Sequence, residues 1–246
     1  DVFKINSKRI YQIGKYVSID EASPGYSGRT SNITITKNKK VPSAVQSFAI
    51  CDGLTGYCHQ IEFRFDNITQ KSTNKEFNKT QGSVLRLVST LEENWHCIVM
   101  DNFFNSPKLS IELLRNKKYV LGTWRKRYGA PKCIWKNRVS GSTILNEKRK
   151  QKPLFAQHQV NIYRGNSIDK FNIIGASFYC SNLVTMITTL NLNWKEKLQG
   201  GTKDKTKYEI QHIYNQYMNG VDVLDQLTSN FNSYVRSRKW WKRLLF

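Results

Sequence analysis

The sequence predicts a mixed α/β fold in which helices pack on a mixed sheet. Between residues 43 and 124, apolar runs and helical periodicities follow the order strand, strand, helix, strand, helix, strand, which is typical of a sheet covered by helices. Hydrophobic residues occupy 39% of the 246 positions, which is sufficient for a substantial core. We therefore expect one large domain, or one domain that carries an insertion.

The first predicted strand pair is a β-hairpin. Ala44–Cys51 is a largely apolar run that ends at Asp52 and Gly53, a turn signal. Tyr57–Phe65 then alternates apolar and polar residues, as a half-buried strand does. Asp52 is therefore predicted where the first strand gives way to the turn. Upstream, the short run Tyr16–Ile19 fits either a strand or the end of a helix.

A helix, a strand and a second helix are predicted after the hairpin. Ser83–Leu91 carries apolar residues at helical spacing, and His96–Met100 is a short buried-strand run that ends at Asp101. Ser106 and Pro107 are typical residues for the N-cap and first position of a helix. The second helix is therefore expected to begin at Ser106.

The region after the next predicted strand, Tyr119–Trp124, is harder to assign. Residues 125–207 are basic and contain short strand-like runs such as Phe171–Tyr179. Gly200, Gly201 and the charged run after them end this region as a linker does. We interpret the region as an inserted subdomain between the sheet and a final helix.

The final helix is predicted from an apolar stripe near the end of the chain. The stripe residues recur at helical spacing and are Tyr214, Tyr217, Val221, Leu224, Leu227, Phe231 and Tyr234. Asp222 and Asp225 each follow a stripe residue by one, so both project from the same flank of the helix. A basic segment with paired tryptophans follows. Carboxylates at the border of the core, next to such a segment, favour a metal site beside nucleic acid. A solvated helix with a charged tail is the alternative.

The charge balance favours a polyanionic partner. Lys and Arg number 39 against 18 Asp and Glu, which gives a formal net charge of +21. Such an excess destabilises a compact state through self-repulsion unless an anionic partner offsets it. Nucleic acid is the leading candidate and an anionic membrane surface the second. Because the sequence has no stretch of about 18 apolar residues, we predict a nucleic-acid partner and no membrane.

The cysteines and histidines show no spacing that is typical of a bound metal. None of the 5 cysteines forms a Cys-x-x-Cys pair, and their number is odd. The 4 histidines show no ligand spacing either. This distribution predicts buried or free thiols in a reducing compartment, and neither a zinc site nor a disulfide framework.

Three acids far apart in the sequence can converge if the sheet forms as predicted. Asp52 and Asp101 lie at predicted strand ends, where open α/β sheets bind ligands, although an acid there is also an ordinary turn-former. With Asp222 they would form a carboxylate cluster, and oxygen-only ligands favour Mg²⁺ or Mn²⁺. Two such ions about 4 Å apart can clamp the oxygens of a phosphoryl transfer. A basic domain that packages RNA or DNA without binding metal is a further alternative.

Several blocks of the sequence resemble motifs of the piggyBac transposase family, in the family's order. Asn219–Gln226 is similar to the G-G-V-D-x-x-D-Q part of one motif, and Asp101–Ser106 is similar to D-N-F-F-x-S. The other matches are Gly122–Arg125 to G-T-x-R, Trp240–Arg243 to K-W-W-K-R, and Asp20 and Glu21 with Gly28 and Arg29 to D-E…G-R. Asp52 falls where the family's first catalytic aspartate is expected.

The resemblance implies an RNase H-like core, interrupted by an insertion subdomain before the last catalytic helix. It implies a DDE/D-type DNA transposase that cuts and pastes DNA, passes through hairpinned ends and inserts at TTAA sites. Asp52, Asp101 and Asp222 would be catalytic acids that bind Mg²⁺ or Mn²⁺, and Asp225 would be an additional essential carboxylate. A domesticated, catalytically inactive protein that still binds DNA is the alternative.

The resemblance also implies partners and a location. The partner would be double-stranded DNA, both transposon ends and target, bound by a homodimer in the nucleus. The implied DNA-binding residues are Arg29, Arg125, Arg127, Arg236, Lys239, Trp240, Trp241, Lys242 and Arg243. One tryptophan of the pair could stack on an unpaired base, with packing in the core as the alternative role.

The same resemblance suggests how the chain is divided. The predicted parts are a lead-in with part of a DNA-binding or dimerisation region (1–40), the first part of the core (41–124), the insertion (125–207), and the catalytic helix with the basic Trp-Trp segment (208–246). The family's core continues beyond the position of Phe246 and is followed by a cysteine-rich domain. Two departures stand out, because Val45–Ser47 replaces a frequent G-I-K and Val235 replaces an arginine.

Overall fold

A computed structural model of the chain describes residues 9–22, 33–35, 43–63, 76–125, 160–166, 172–179, 183–192, 197–198 and 207–230, together with residues 6 and 25. Contacts along the chain divide it into two compact units. Unit one comprises residues 1–99 and 216–246, and unit two comprises residues 100–215. The division predicted at residues 40, 124 and 207 stays a prediction.

Unit one is built on strands that include the predicted hairpin. The strands up to the unit boundary are β1 (Tyr16–Glu21), β2 (Ile33–Ile35), β3 (Ser43–Val45), β4 (Ser47–Asp52), β5 (Cys58–Phe63) and β6 (Cys97–Met100). Four of them follow the order β5-β4-β1-β6, and β2 pairs with β3 separately. β1 and β4 are antiparallel, and Val17 lies opposite Asp52. β4 and β5 form the predicted hairpin, which is confirmed, and the run at Tyr16–Ile19 belongs to a strand.

β4 is buried at every position because helices of unit one pack against it. One of them, α1 (Lys79–Val88), contacts β4 and β5. It begins earlier than the predicted Ser83, because the Asn78 side chain accepts a hydrogen bond from Gln81 N at 2.8 Å and caps the helix there. The buried residues Val84, Leu87 and Val88 form its inner face.

Unit two contains a second antiparallel ladder. Its strands are β7 (Tyr119–Thr123), β8 (Val160–Asn166), β9 (Asn172–Tyr179), β10 (Leu183–Thr188), β11 (Lys197–Leu198) and β12 (Lys207–Tyr208). Four of them follow the order β7-β10-β9-β8, with every neighbouring pair antiparallel, and β11 pairs with β12. The strand predicted at Phe171–Tyr179 is confirmed as β9.

The helix predicted to begin at Ser106 is confirmed in unit two as α2 (Pro107–Arg115). Ser106 Oγ accepts a hydrogen bond from Leu109 N at 3.2 Å, so Ser106 is the N-cap, and Pro107 occupies the first turn, where its missing N–H costs nothing. Leu109 and Leu113 are fully buried.

The single final helix predicted over the apolar stripe is wrong. The chain forms two helices there, α3 (Glu209–Tyr217) and α4 (Gly220–Asn230), which are interrupted at Met218 and Asn219. Asn and Gly are poor helix formers, and a Cβ atom at Gly220 would meet Ser18 Oγ and Asp52 O, so the second helix begins at a residue where only glycine fits. Phe231 and Tyr234 lie outside the described residues. Within the part of the chain that the structure describes, no helix is long and apolar enough to cross a membrane.

Candidate active site

Asp52 ends β4 in unit one, and its carboxylate is held by four hydrogen bonds. Gly14 N donates to Asp52 Oδ2 at 2.8 Å. Leu54 N and Thr55 N donate to Oδ1 at 3.0 and 2.9 Å, and Thr55 Oγ1 donates to the same oxygen at 3.1 Å. Burial by itself would raise the pKa of Asp52, but the hydrogen bonds from Thr55, Gly14 and Leu54 outweigh it and lower the pKa. Asp52 is therefore a carboxylate at neutral pH.

Gly14 and His96 position Asp52 from outside the hairpin. A Cβ atom at Gly14 would lie 2.9 Å from Asp52 Oδ2, so a side chain would displace the carboxylate. On its other side, Gly14 O lies 2.9 Å from His96 Nδ1. Because a carbonyl oxygen only accepts, the geometry assigns the proton to Nδ1. No local pattern predicts these contacts, since Gly14 and Asp52 are 38 residues apart.

The turn after Asp52 packs directly on the beginning of α4. Gly56 has a φ of +70°, and a Cβ atom there would lie 2.6 Å from Val223 Cγ1. A Cβ atom at Gly220 would lie 2.5 Å from Asp52 O. At Gly56 and at Gly220 the neighbouring atoms therefore lie so close that only a glycine fits. The first turn of α4, which contains Asp222, is docked on the turn that follows β4.

Asp222 and Asp225 lie on α4 and are both exposed. Residues three apart on a helix are neighbours on its surface, which agrees with the shared flank predicted for them. Directly before Asp222, Val221 anchors the helix, because its side chain is buried with Ala49 and Cys51. The β4 side chains in this cluster are thus those of Ala49 and Cys51, and not that of Asp52.

The pKa of the Cys51 thiol depends on the charged groups around it. The pKa of Cys51 is raised, first by its hydrogen bond with Cys58, then by burial, and further by the negative charges of Cys58, Asp225 and Asp52. The pKa of Cys58 is lowered, mainly because its sulfur accepts the Cys51 hydrogen bond. Asp52 and Asp225 therefore both act on the thiol at the end of β4.

Asp101 lies in unit two, directly after β6, and shapes a turn. Its Oδ1 accepts a hydrogen bond from Phe103 N at 2.7 Å, and its carbonyl oxygen accepts one from Asn105 N at 3.2 Å. The turn-forming role considered for an acid at a strand end is therefore present at Asp101. The side chain is half-buried.

Two of the family-like blocks meet in unit two. Asn105 donates from Nδ2 to Thr123 O at 3.2 Å and accepts from Ser110 Oγ at 3.2 Å. A Cβ atom at Gly122 would lie 2.7 Å from Asn105 Nδ2, so the glycine leaves room for the amide. The Asn105 side chain thereby connects the block Asp101–Ser106 to the block Gly122–Arg125.

The carboxylates have the right chemistry for Mg²⁺ or Mn²⁺, but the described residues do not gather enough of them. Among those residues, no group of three or more His, Cys, Asp or Glu side chains can hold a metal ion. Asp52 Oδ1 already accepts three hydrogen bonds within the protein. The described residues therefore show no complete metal site.

Arg125 is the one predicted DNA-binding residue that falls within the described part of the chain. It is exposed and follows Trp124, which is buried. The other residues predicted to bind DNA lie outside the described residues: Arg29, Arg127, Arg236, Lys239, Trp240, Trp241, Lys242 and Arg243.

Comparison with known proteins identifies the family. The family model described as Transposase IS4 matches residues 1–246. Among solved structures, the chain is similar to one described as "Cryo-EM structure of piggyBac transposase synaptic complex with hairpin DNA", with a TM-score of 0.77 and 21% sequence identity. The match covers 100% of this chain and 47% of that one, so the chain spans about half its length. The RNase H-like fold predicted from the resemblance is confirmed, and the chain belongs to the Transposase IS4 family.

Proposed function

We propose that this chain is the catalytic core of a DDE/D-type DNA transposase, which cleaves DNA at transposon ends and joins the ends to target DNA. The observation that carries the proposal is the family match along all of residues 1–246. The ionised carboxylate of Asp52, beside the helix that carries Asp222, supports it. Such a carboxylate is what a site for hard divalent ions requires.

The acids proposed to act are Asp52, Asp101 and Asp222, with Asp225 as a further essential carboxylate. Mg²⁺ or Mn²⁺ would supply Lewis-acid stabilisation of the oxygens at the cleaved phosphodiester. The chain's own part is to keep Asp52 charged and oriented through Gly14 and Thr55.

The finer features of the reaction are proposed from the family resemblance. We propose cut-and-paste transposition through hairpinned ends with insertion at TTAA, carried out by a homodimer in the nucleus. The net charge of +21 supports a DNA partner, since phosphate neutralisation by Lys and Arg supplies most non-specific affinity. The similar solved structure is a complex with hairpin DNA. The proposed contacts are Arg125 and the eight predicted residues outside the described part of the chain.

The test is cleavage of DNA by the 246-residue chain with Mg²⁺ or Mn²⁺. We expect nicking of a hairpin DNA end that requires the ion and is abolished by Asp52→Asn, Asp101→Asn or Asp222→Asn. Glu112→Gln is the matched control, because it removes a carboxylate that only pairs with Arg115 on the surface, at 3.3 Å. Nicking that survives all three Asp substitutions removes the catalytic assignment.

A second candidate is a transposase-derived protein that binds DNA without cutting it. The hydrogen bonds that occupy Asp52, and the lack of a three-ligand metal group among the described residues, favour it. It predicts salt-sensitive DNA binding with no metal-dependent cleavage. Cleavage that is lost in Asp52→Asn, while DNA binding is kept, decides against this candidate.

A further inference from the structure

Cys51 and Cys58 occupy opposite positions on the two strands of the hairpin. Cys51 is the next-to-last residue of β4, and Cys58 is the first residue of β5. The antiparallel register pairs them directly, after an irregularity between Ile50 and Cys51. The largest effect on the pKa of each thiol comes from the other, so the two thiols are near neighbours. Their sulfur atoms therefore face each other across the hairpin.

The backbone already meets the requirement for a disulfide at this pair. Directly opposite residues of antiparallel strands have Cα atoms about 4.5–5.5 Å apart. Disulfides span Cα separations of about 4.4–6.8 Å. Both residues are free thiols in the structure, so both sulfur atoms are available for the bond.

We propose that Cys51 and Cys58 form a reversible redox-modification site, which a small disulfide such as oxidised glutathione converts into a cross-strand disulfide. The oxidation is a different reaction from the proposed transposase chemistry, although the pair lies directly beside Asp52. It is a transient modification of the kind found in reducing compartments, and not a structural disulfide.

The order of the reaction follows from exposure. Cys58 is partly exposed and Cys51 is fully buried, so the reagent meets Cys58 first. The Cys58 sulfur attacks one sulfur of oxidised glutathione, which gives a mixed disulfide and releases one glutathione thiol. The Cys51 sulfur then attacks the Cys58 sulfur and releases the second glutathione. The chain loses two hydrogens, which leave on the two glutathione thiols, so electrons and protons balance.

A soft metal ion is the other ligand that two facing thiols can attract. Such an ion needs further ligands, and among the described residues no third His, Cys, Asp or Glu joins the pair. A disulfide needs only the two sulfurs. The geometry therefore favours oxidation over metal binding.

The site lies where the hairpin meets α4. Cys51 is buried in the cluster with Val221, and Cys58 packs against the same cluster beside Leu224. The bond would close the short loop that carries Asp52, from Cys51 to Cys58. Closing a loop restricts the unfolded chain, so the oxidised protein is expected to unfold at a higher urea concentration than the reduced one.

The experiment treats the reduced 246-residue chain with oxidised glutathione and follows its mass. We expect a product that has lost two hydrogens and returns to the starting mass with dithiothreitol. Both cysteines fall in one tryptic peptide, residues 41–64, and chymotrypsin cuts between them after Tyr57. A pair of chymotryptic fragments that separates only after reduction therefore identifies the bond.

Single cysteine substitutions test which thiols take part in the reaction. Cys51→Ser is expected to stop at the glutathione adduct on Cys58, and Cys58→Ser to leave Cys51 unmodified. Cys97→Ser is the matched control, because Cys97 is a fully buried free thiol outside the hairpin and should not meet the reagent. The proposal is overturned if the wild-type chain keeps Cys51 and Cys58 as free thiols, or if either joins Cys133 or Cys180 instead. The wild-type measurement decides this even where a variant fails to fold.

Discussion

Gly220 lies against the main chain of Asp52, so that a Cβ atom at position 220 would come within 2.5 Å of Asp52 O. Gly220 begins α4 and Asp52 ends β4. The helix that carries Asp222 therefore docks on the strand that ends in Asp52, and the contact depends on a residue without a side chain.

Replacing Gly220 by alanine should weaken this docking. We expect Gly220→Ala to lower the free energy of unfolding by about 1–3 kcal/mol, because the added methyl group meets main-chain atoms that cannot move aside. Gly82→Ala is the matched control in α1, where the nearest atom is the flexible Arg86 Nη1 at 3.4 Å. That change should stabilise the protein by about 0.5–1 kcal/mol. Urea unfolding measures the unfolding free energy of both variants. Equal changes in the two variants would contradict the close contact between Gly220 and the Asp52 main chain.

The charged state of Asp52 makes its contribution to stability dependent on pH. Its pKa in the folded protein is lowered, so the contribution is present above the unperturbed value of about 3.9 and is lost as the pH falls through the folded pKa. We expect the difference in unfolding free energy between wild type and Asp52→Asn to be largest at neutral pH and to shrink in acid. Urea unfolding at several pH values measures it.

Glu112→Gln provides the comparison for this pH experiment, because its carboxylate pairs with Arg115 only at the surface. Its difference from wild type should stay small throughout. If the difference in unfolding free energy between wild type and Asp52→Asn is the same at every pH, hydrogen bonds do not hold Asp52 in its charged form.

His96 should act on Asp52 through Gly14. Removing the imidazole in His96→Ala leaves Gly14 O without its partner at 2.9 Å, which should cost about 1–3 kcal/mol. His96→Asn places an amide N–H near the position of Nδ1 and should restore part of the loss. The NMR-measured pKa of Asp52 should rise in His96→Ala and return towards the wild-type value in His96→Asn. If the pKa of Asp52 changes in neither variant, His96 does not act on Asp52 and contributes only to packing.

Asn105 is expected to hold the turn after Asp101. Asn105→Ala removes the hydrogen bonds to Thr123 O and Ser110 Oγ and should lower the unfolding free energy by about 1–3 kcal/mol. Asn116→Ala removes an exposed amide that bonds Glu112 O at 3.0 Å, and should change stability by about 0.5 kcal/mol or less. Thermal unfolding distinguishes the two, and a small effect at Asn105 would contradict its role.

Local patterns were enough to predict much of the fold. The hairpin around Asp52 follows from an apolar run, a turn signal and an alternating run, and Ser106 with Pro107 marks a helix start by its own chemistry. The interruption at Met218 and Asn219 could not be predicted from the stripe, because the apolar spacing continues across it and the break depends on contacts between Gly220 and distant strands.

The site was predicted less completely than the fold. Asp52 was predicted at a strand end, but Gly14, Thr55 and His96 were not among the candidate residues, although they hold or position it. Of these contacts, only the one from Thr55 is local in the sequence. The other two join residues 38 and 82 positions apart, which no periodicity reveals.

The most direct test of the central claim, that Asp52 serves a metal-dependent transposase site, is Mn²⁺ binding by the chain together with a hairpin DNA end, followed by electron paramagnetic resonance. We expect Mn²⁺ to bind the protein–DNA complex, and Asp52→Asn to lose this ion while still binding the DNA. Equal Mn²⁺ binding by wild type and Asp52→Asn, or no binding in either complex, would contradict it.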